Sequence, residues 1–282
     1  MDFLCDLNEF NAYRDNKSMY QDTYRYKYAL PFERIDDPRG WTVDVFQRYW
    51  AHSITISIAY FVIMKGIQHF MEKRKPFSLK TTLFLWNTAL AVFSIVGFIR
   101  FSEEFFQSLY TNGIYPSLCY SCNPNDVAAF WTLLFAISKV VELGDTLFIV
   151  LRKKATDLST LLSSCCRPRL YSADHAAPGR AFITMNYFAH SVMYTYYALS
   201  SCELKLPRWV SICVTSIQTA QMLAGVAVSY TVYKIKTETN MPCQQSMVNL
   251  YLAFIIYVTF AVLFVHFFYR TYITKLQKTK RD

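Results

Sequence analysis

Glycine and charged residues are scarce in this sequence. Only 7 of its 282 residues are glycine and 17% are charged, whereas 53% are hydrophobic and 17% are aromatic. Soluble domains usually contain about 25% charged residues, so the shortage argues against an ordinary soluble domain. Because the apolar residues cluster in long runs, we expect an all-α polytopic membrane protein.

A cleavable signal peptide is also lacking, since residues 1–48 contain no continuous apolar stretch. The 8 cysteines do not suggest a disulfide scaffold in a chain of this length. Lys and Arg exceed Asp and Glu by 29 − 20 = 9, but the positive charges lie in short breaks between apolar runs. This distribution indicates the lipid bilayer as a partner and argues against nucleic acid.

Six apolar runs have the length of membrane spans. A basic cluster follows the first run, the loop after the second contains no Lys or Arg, and the third ends on Arg152-Lys153-Lys154. By the positive-inside rule, the N-terminus is then luminal. We divide the chain into a polar luminal segment (1–48), a transmembrane domain (49–270) and a basic cytosolic tail (271–282). The six runs cover residues 50–71, 81–101, 128–151, 181–201, 209–233 and 247–269.

The number of runs disagrees with the charge of the C-terminal tail. After a luminal N-terminus, six spans would leave that basic tail in the lumen, against the positive-inside rule. A seventh span is therefore missing, and the only room for it lies between Lys154 and Ala181. That stretch contains Arg167, Pro168 and Arg169, which would be costly in lipid.

Two polar segments interrupt the apolar runs. Lys139, Glu142 and Asp145 stand at i, i+3 and i+6, a spacing that lets a cation and two carboxylates pair on a helix. His190 lies within a second segment, from Met185 to Tyr197. Ionisable residues inside a span are typical of functional sites. A structural ion-pair network and a structural histidine are the alternative interpretations.

These segments resemble the fatty acid elongase family. The resemblance covers about residue 41 to the C-terminus and implies seven spans in the endoplasmic reticulum membrane. Met185-Asn186-Tyr187 is most similar to the branch that acts on saturated and monounsaturated long chains. The matching motifs are Lys139-x-x-Glu142-x-x-Asp145-Thr146, Met185-Asn186-Tyr187-x-x-His190-x-x-Met193-Tyr194-x-Tyr196-Tyr197, Thr215-x-x-Gln218-x-x-Gln221, and Tyr257 to Phe268 with its paired Phe267-Phe268.

The resemblance implies a condensing enzyme, an acyltransferase that joins long-chain acyl-CoA with malonyl-CoA to give 3-oxoacyl-CoA, CO2 and CoA. It implies no cofactor and no metal. The expected catalytic residues are His190, Lys139, Glu142, Asp145 and Asn186. The expected substrate-binding residues are Tyr194, Tyr197, Gln218, Gln221, Arg152, Lys153 and Lys154. The basic residues are equally explained as topology determinants. Other enzymes of the elongation cycle and a second copy of the chain are further candidate partners.

The histidine box of the family, His-x-x-His-His, is absent where the resemblance places it, after Lys154. Reading the stretch from Thr156 to Cys165 one nucleotide downstream permits Leu-Ile-Phe-Leu-His-Cys-Tyr-His-His, and an apolar continuation follows. We therefore hypothesise that about residues 156–170 are a frameshift product, which would also account for the missing span. The displaced histidines would fall at Thr160, Ser163 and Ser164. A divergent member with a genuine loop is the alternative, and the coding DNA decides between them.

Three other functions are weighed against elongation. A di-iron desaturase needs about eight histidine ligands in several boxes, which this chain does not supply. A seven-span receptor or transporter is not favoured, because the polar residues concentrate in two adjoining segments rather than in inverted repeats. A catalytically inactive elongase relative is the third alternative.

Two further expectations depend on the seven-span topology. The loops that contain Cys119, Cys122 and Cys243 would both be luminal, so a disulfide from Cys243 to either Cys119 or Cys122 is expected. The tail would be cytosolic, where Lys278 and Lys280, fifth and third from the C-terminus, resemble a dilysine retrieval signal of the endoplasmic reticulum.

Overall fold

The structure, a computed structural model, describes residues 24–33, 52–120, 126–153, 178–204, 206–239 and 241–273. These residues form eight α-helices and contain no strand. A 3-10 turn, Pro31–Glu33, precedes the helices, and a π-helical turn, Tyr269–Ile273, continues the last one. The helices are α1 (His52–Glu72), α2 (Lys80–Asn112), α3 (Ile114–Cys119), α4 (Val127–Val141), α5 (Gly144–Leu151), α6 (Gly179–Ser201), α7 (Arg208–Glu238) and α8 (Met247–Phe268).

The helices follow the six apolar runs, but two of them are longer than predicted. Helix α2 continues to Asn112, beyond the predicted end at Phe101, and stops at Gly113, whose φ of 79° is in the left-handed region. Helix α7 continues to Glu238, beyond the predicted end at Tyr233. The third run contains α4 and α5, joined by a tighter helical step at residues 142 and 143. The predicted ends of the second and fifth runs were wrong.

The length and hydropathy of the helices confirm a membrane protein. Lys80–Asn112, Arg208–Glu238 and Met247–Ile273 are long and apolar enough to cross a membrane. Helices α1 and α6 contain 21 and 23 residues, and a span needs about 20. The protein is therefore an all-α polytopic membrane protein. The seventh predicted span lies almost wholly outside the described residues.

Helices α2 and α6 form an extensive antiparallel pair. Tyr187 on α6 packs against Gly97 on α2, and Tyr194, about two turns further along α6, packs against Leu90, about two turns back along α2. A Cβ atom at position 97 would stand 2.5 Å from Cε1 of Tyr187, so the close approach depends on glycine. The polar residues of the candidate site lie on this pair and on the neighbouring segment α4–α5.

Aromatic residues fill the bundle between α2, α4 and α6. Tyr187 is 1% exposed, and its hydroxyl donates to the carbonyl of Trp131 at 2.9 Å. The Trp131 carbonyl thus accepts the hydrogen bond of the Tyr187 hydroxyl, while the Tyr187 ring lies in apolar surroundings. The other buried aromatic residues of this cluster are Phe101, Phe130, Trp131 and Phe135.

The chain also makes cross-links at the end of the bundle predicted to face the lumen. A disulfide joins Cys119, at the end of α3, to Cys243, before α8. This confirms the expected pairing of the two loops and selects Cys119 over Cys122, which lies outside the described residues. Arg180, at the start of α6, pairs with Glu104 of α2 at 2.6 Å.

Candidate functional site

Four predicted residues meet inside the bundle. One is on α4, one directly follows α4, and two are on α6. Lys139 donates to Oε1 of Glu142 at 2.8 Å and to Oδ1 of Asn186 at 2.6 Å. Nδ1 of His190 lies 3.3 Å from the same Glu142 oxygen. Lys139 and Glu142 are 8% and 4% exposed. A buried cation thus balances a buried carboxylate, and both contact polar groups of α6.

Asp145 contacts two neighbouring helices. Its Oδ1 accepts from Nε1 of Trp86 on α2 at 2.7 Å, and its Oδ2 accepts from the hydroxyl of Tyr194 on α6 at 2.7 Å. The i, i+3, i+6 spacing allows Lys139 to pair with both carboxylates. The pairing with Glu142 is confirmed, and Asp145 also links α2, α5 and α6.

Tyr194 lies between Asp145 and His190. Its hydroxyl bonds to Asp145 and its ring contacts His190, which in turn faces Glu142. The rings of Tyr194 and His190 make an edge contact at 5.4 Å between centroids, and Tyr194 makes a second edge contact with Tyr197 at 6.5 Å. The imidazole is therefore placed between Glu142 on one side and the phenol of Tyr194 on another. An imidazole held in this way is suited to nucleophilic or acid–base chemistry.

The remaining predicted residues are on other segments of the chain. Gln218 and Gln221 are on α7, and within the described ranges no hydrogen bond joins either to the four-residue cluster. Arg152 and Lys153 follow α5, about 10 Å along the axis from Asp145, and the Lys153 ammonium donates to the carbonyl of Glu72 at 2.9 Å. Lys154, Thr160, Ser163 and Ser164 are outside the described residues.

The described residues contain no group of three or more His, Cys, Asp or Glu side chains that could hold a metal ion. The groups that the described residues bring to the centre are an imidazole, an ammonium, an amide, two carboxylates and phenols. Such groups can transfer an acyl group or a proton when water is kept out, and the surrounding aromatic cluster is apolar.

Comparison with known proteins decides the family. Residues 45–280 match the model described as ELO: GNS1/SUR4 family. The chain belongs to this family. It is 53% identical over 292 aligned residues to "Putative fatty acid elongase 4" of Caenorhabditis elegans, an alignment that covers 100% of this chain and 97% of the relative.

Other relatives with similar coverage have related names. "Putative fatty acid elongase 3" of Caenorhabditis elegans is 43% identical, with 91% of this chain and 83% of the relative aligned. "Very long chain fatty acid elongase 3" of Homo sapiens is 36% identical, with 83% and 88% aligned. Membership of the ELO family confirms the resemblance that the motifs indicated.

Trp86 is the site residue of this ELO-family chain that the sequence reasoning missed. It lies in an apolar run and belongs to none of the motifs, although an indole N–H inside a span needs an acceptor. That requirement is the only signal in the sequence that could have indicated it. The acceptor, Asp145, is 59 residues away in the chain, so only the packing of α2 against α5 shows the pair.

Proposed function

We propose that this chain is an acyltransferase that catalyses the condensation step of fatty acid elongation, in which long-chain acyl-CoA and malonyl-CoA give 3-oxoacyl-CoA, CO2 and CoA. The protein is a fatty acid elongation protein of the ELO family. The observation that supports the specific reaction is the cluster of Lys139, Glu142, Asn186 and His190 inside an apolar helical bundle.

His190 is the proposed nucleophile. With Nδ1 facing the Glu142 carboxylate, the ring proton resides on Nδ1 and the lone pair of Nε2 is available. Nε2 attacks the carbonyl carbon of the acyl thioester, the carbon–sulfur bond breaks, and CoA leaves as a thiolate. Glu142 stabilises the imidazolium character that develops, and Lys139 balances the carboxylate while no acyl group is bound.

The second half-reaction uses the electron pair released by decarboxylation. Malonyl-CoA loses CO2, and the pair left on its α-carbon attacks the carbonyl carbon of the acyl-imidazole. The carbon–nitrogen bond breaks and its electron pair returns to Nε2. Because Oδ1 of Asn186 accepts from Lys139, the amide N–H groups of Asn186 are directed away from the ammonium and are proposed donors to the thioester oxygen.

Substrate contacts are proposed for the remaining motif residues. Tyr194 and Tyr197 lie next to the imidazole, and Gln218 and Gln221 are placed on the neighbouring helix α7. Arg152, Lys153 and Lys154 are proposed to hold CoA phosphates at the end of α5, where their charge is complementary to the ligand. The reaction needs no separate cofactor in this scheme.

A malonyl-CoA-dependent assay tests the proposal in two chains. Microsomes that contain this chain, and microsomes that contain the frame-corrected chain with histidines restored at positions 160, 163 and 164, are given radiolabelled malonyl-CoA and long-chain acyl-CoA. Two-carbon extension by the frame-corrected chain is expected. If neither chain extends acyl-CoA, the proposed function is overturned. Extension by the corrected chain alone identifies the sequence as written as an inactive form.

The variant His190→Gln provides the internal test. It removes the nucleophile but keeps a polar side chain, so extension should fall by about a thousandfold or more, as removal of a nucleophile usually causes. His69→Gln, at an exposed position on α1, is the matched control and should retain activity. Equal activity of His190→Gln and His69→Gln would remove His190 from the mechanism.

The endoplasmic reticulum membrane is the proposed location. The supporting features are the family and the two lysines of the tail, Lys278 and Lys280, which lie outside the described residues. Replacing both with serine should move the protein from the endoplasmic reticulum to later compartments, as followed by fluorescence microscopy. An unchanged distribution would show that another signal retains the protein.

A further inference from the structure

The α-helical bonding is interrupted between α4 and α5. Helix α4 ends at Val141 and α5 begins at Gly144, and the amides of Leu143 and Asp145 bond three residues back. Glu142 and Leu143 keep helical φ and ψ, so this break is a tighter 3-10 step within a continuing helix. Glu142 contacts Lys139 and His190, and Asp145 contacts Trp86 and Tyr194. The break therefore lies directly between two carboxylates of the centre.

A hydroxyl from α1 holds the residue at which the break occurs. Tyr60 donates to the carbonyl oxygen of Leu143 at 2.8 Å. Leu143 is buried, and a hydrogen bond made in an apolar environment is costly to lose. Tyr60 also packs beside Met64 and Val150, where α1 contacts α5. Helix α1 is therefore attached to the protein at the point where α4 turns into α5.

The indole of Trp86 holds the other side of the break. A Cβ atom at Gly144 would lie 2.7 Å from Cζ2 of Trp86, so the ring rests directly on the backbone of the turn. The ring makes an edge contact with Phe148 at 5.4 Å between centroids. Its Nε1–H then points at Oδ1 of Asp145 at 2.7 Å. The indole thus fixes the backbone of the break and the carboxylate that follows it.

Asp145 transmits this placement to the imidazole. Its second oxygen accepts from the Tyr194 hydroxyl at 2.7 Å, and the Tyr194 ring makes the edge contact with His190. From these contacts we propose that Tyr60 and Trp86 are positioning residues of the reaction centre, which hold the helix break so that Glu142 faces His190 while Asp145 orients Tyr194 against the same ring. This inference deepens the proposed function and rests on His190 being the reacting group.

Conservative variants separate positioning from packing. Tyr60→Phe removes only a hydroxyl, and Trp86→Phe removes the indole N–H while an aromatic ring remains at the position. The matched controls are Tyr251→Phe and Trp209→Phe, whose side chains are exposed on α8 and α7. All four proteins are purified in detergent as the full chain, and their thermal unfolding midpoints are recorded to show that each is folded.

The first measurement does not depend on elongation. Carbethoxylation of His190 by diethyl pyrocarbonate is followed by peptide mass spectrometry. Release of Tyr194 from the imidazole should raise the rate about threefold or more in Tyr60→Phe and Trp86→Phe, the size expected for one lost hydrogen bond. The control variants should react at the parent rate. Tyr194→Phe should raise the rate similarly, and combining it with Trp86→Phe should add little, because both changes break one linkage.

The second measurement uses extension by whichever parent chain is active. The two variants should lower kcat about tenfold and leave the KM for acyl-CoA within about twofold, because a displaced group weakens the transition state more than substrate binding. Parent rates of His190 modification in both folded variants would overturn the positioning role. Faster modification together with no extension by either parent chain would overturn the proposed function and leave the positioning role intact.

Discussion

Arg180 and Glu104 form a buried ion pair at the start of α6. Nη1 of Arg180 lies 2.6 Å from Oε1 of Glu104, and the Arg180 Nη2 group donates to three backbone carbonyls, those of Pro116, Ser117 and Tyr120. One guanidinium therefore joins α2, α3 and α6. Because α6 also contains Asn186 and His190, this pair anchors the helix that brings both residues to the proposed reaction centre.

Removal of one member of this pair should be more harmful than removal of both. Arg180→Met leaves a buried carboxylate with no opposite charge, which typically costs about 3–5 kcal/mol of stability. The double variant Arg180→Met, Glu104→Leu removes both charges and should recover part of that loss. Denaturant unfolding in detergent measures the difference. A double variant less stable than Arg180→Met would contradict this account.

Glu33 should make stability depend on pH. Burial alone raises the pKa of Glu33, but hydrogen bonds from Arg100, Trp131 and the Leu30 amide outweigh it and lower the pKa below its ordinary value. A lowered pKa in the folded state adds stability above the unfolded pKa of about 4.3. This contribution is lost as the pH falls through the folded pKa.

The variant Glu33→Gln tests whether stability falls with decreasing pH because Glu33 is protonated. Its unfolding midpoint should lie below that of the parent at pH 7, and the two should converge as the pH falls below about 4.3. Glu238→Gln removes the same charge at an exposed position on α7 and serves as the control. A constant difference between Glu33→Gln and the parent from pH 7 to pH 3.5 would show that titration of Glu33 is not responsible.

Two glycine-to-alanine variants should have opposite effects. A Cβ atom at Gly66 meets nothing within 4 Å, so Gly66→Ala should be neutral or stabilise α1 by up to about 1 kcal/mol. At Gly97 the same atom would stand 2.5 Å from the Tyr187 ring, and overpacking usually costs about 1–3 kcal/mol. Because Tyr187 is adjacent to Asn186, Gly97→Ala should also lower extension activity. Equal unfolding midpoints would contradict the close packing of α2 on α6.

The disulfide should contribute to stability because it joins distant segments. Cys119 and Cys243 are 124 residues apart, and a loop of that length gives at most about 5 kcal/mol by the chain-entropy model. Cys119→Ser, Cys243→Ser and the double variant should be destabilised equally. Cys213→Ser changes a free, exposed cysteine and should have no effect. Non-reducing peptide mapping that links Cys243 to Cys122 instead would contradict the pairing.

Some site contacts followed from sequence spacing alone. Lys139 and Glu142 are three residues apart on one helical segment, so their pairing is local and was predicted correctly. The contacts of Asp145 with Trp86 and Tyr194 are not local, and the same reasoning did not predict them. Nothing in the local sequence shows that α1 and α2 hold a break there through Tyr60 and Trp86.

The choice of disulfide partner was also beyond the sequence. Charge distribution and the number of spans placed Cys243 on the same side of the membrane as the loop that contains Cys119 and Cys122. Both cysteines are compatible with that placement, because topology gives only the side of the membrane on which a residue lies. The pairing with Cys119 depends on where α3 ends beside α8.

The sequence by itself determined the class, the membrane environment and the family of this protein. Apolar runs and motif spacing are local properties, and a chain in lipid must satisfy its backbone within helices. The tertiary structure alone decided which carboxylate faces His190 and which one holds Tyr194. The packing of α1 and α2 against the α4–α5 segment depends on contacts between residues 59 and 83 positions apart in the chain, which no local pattern reports.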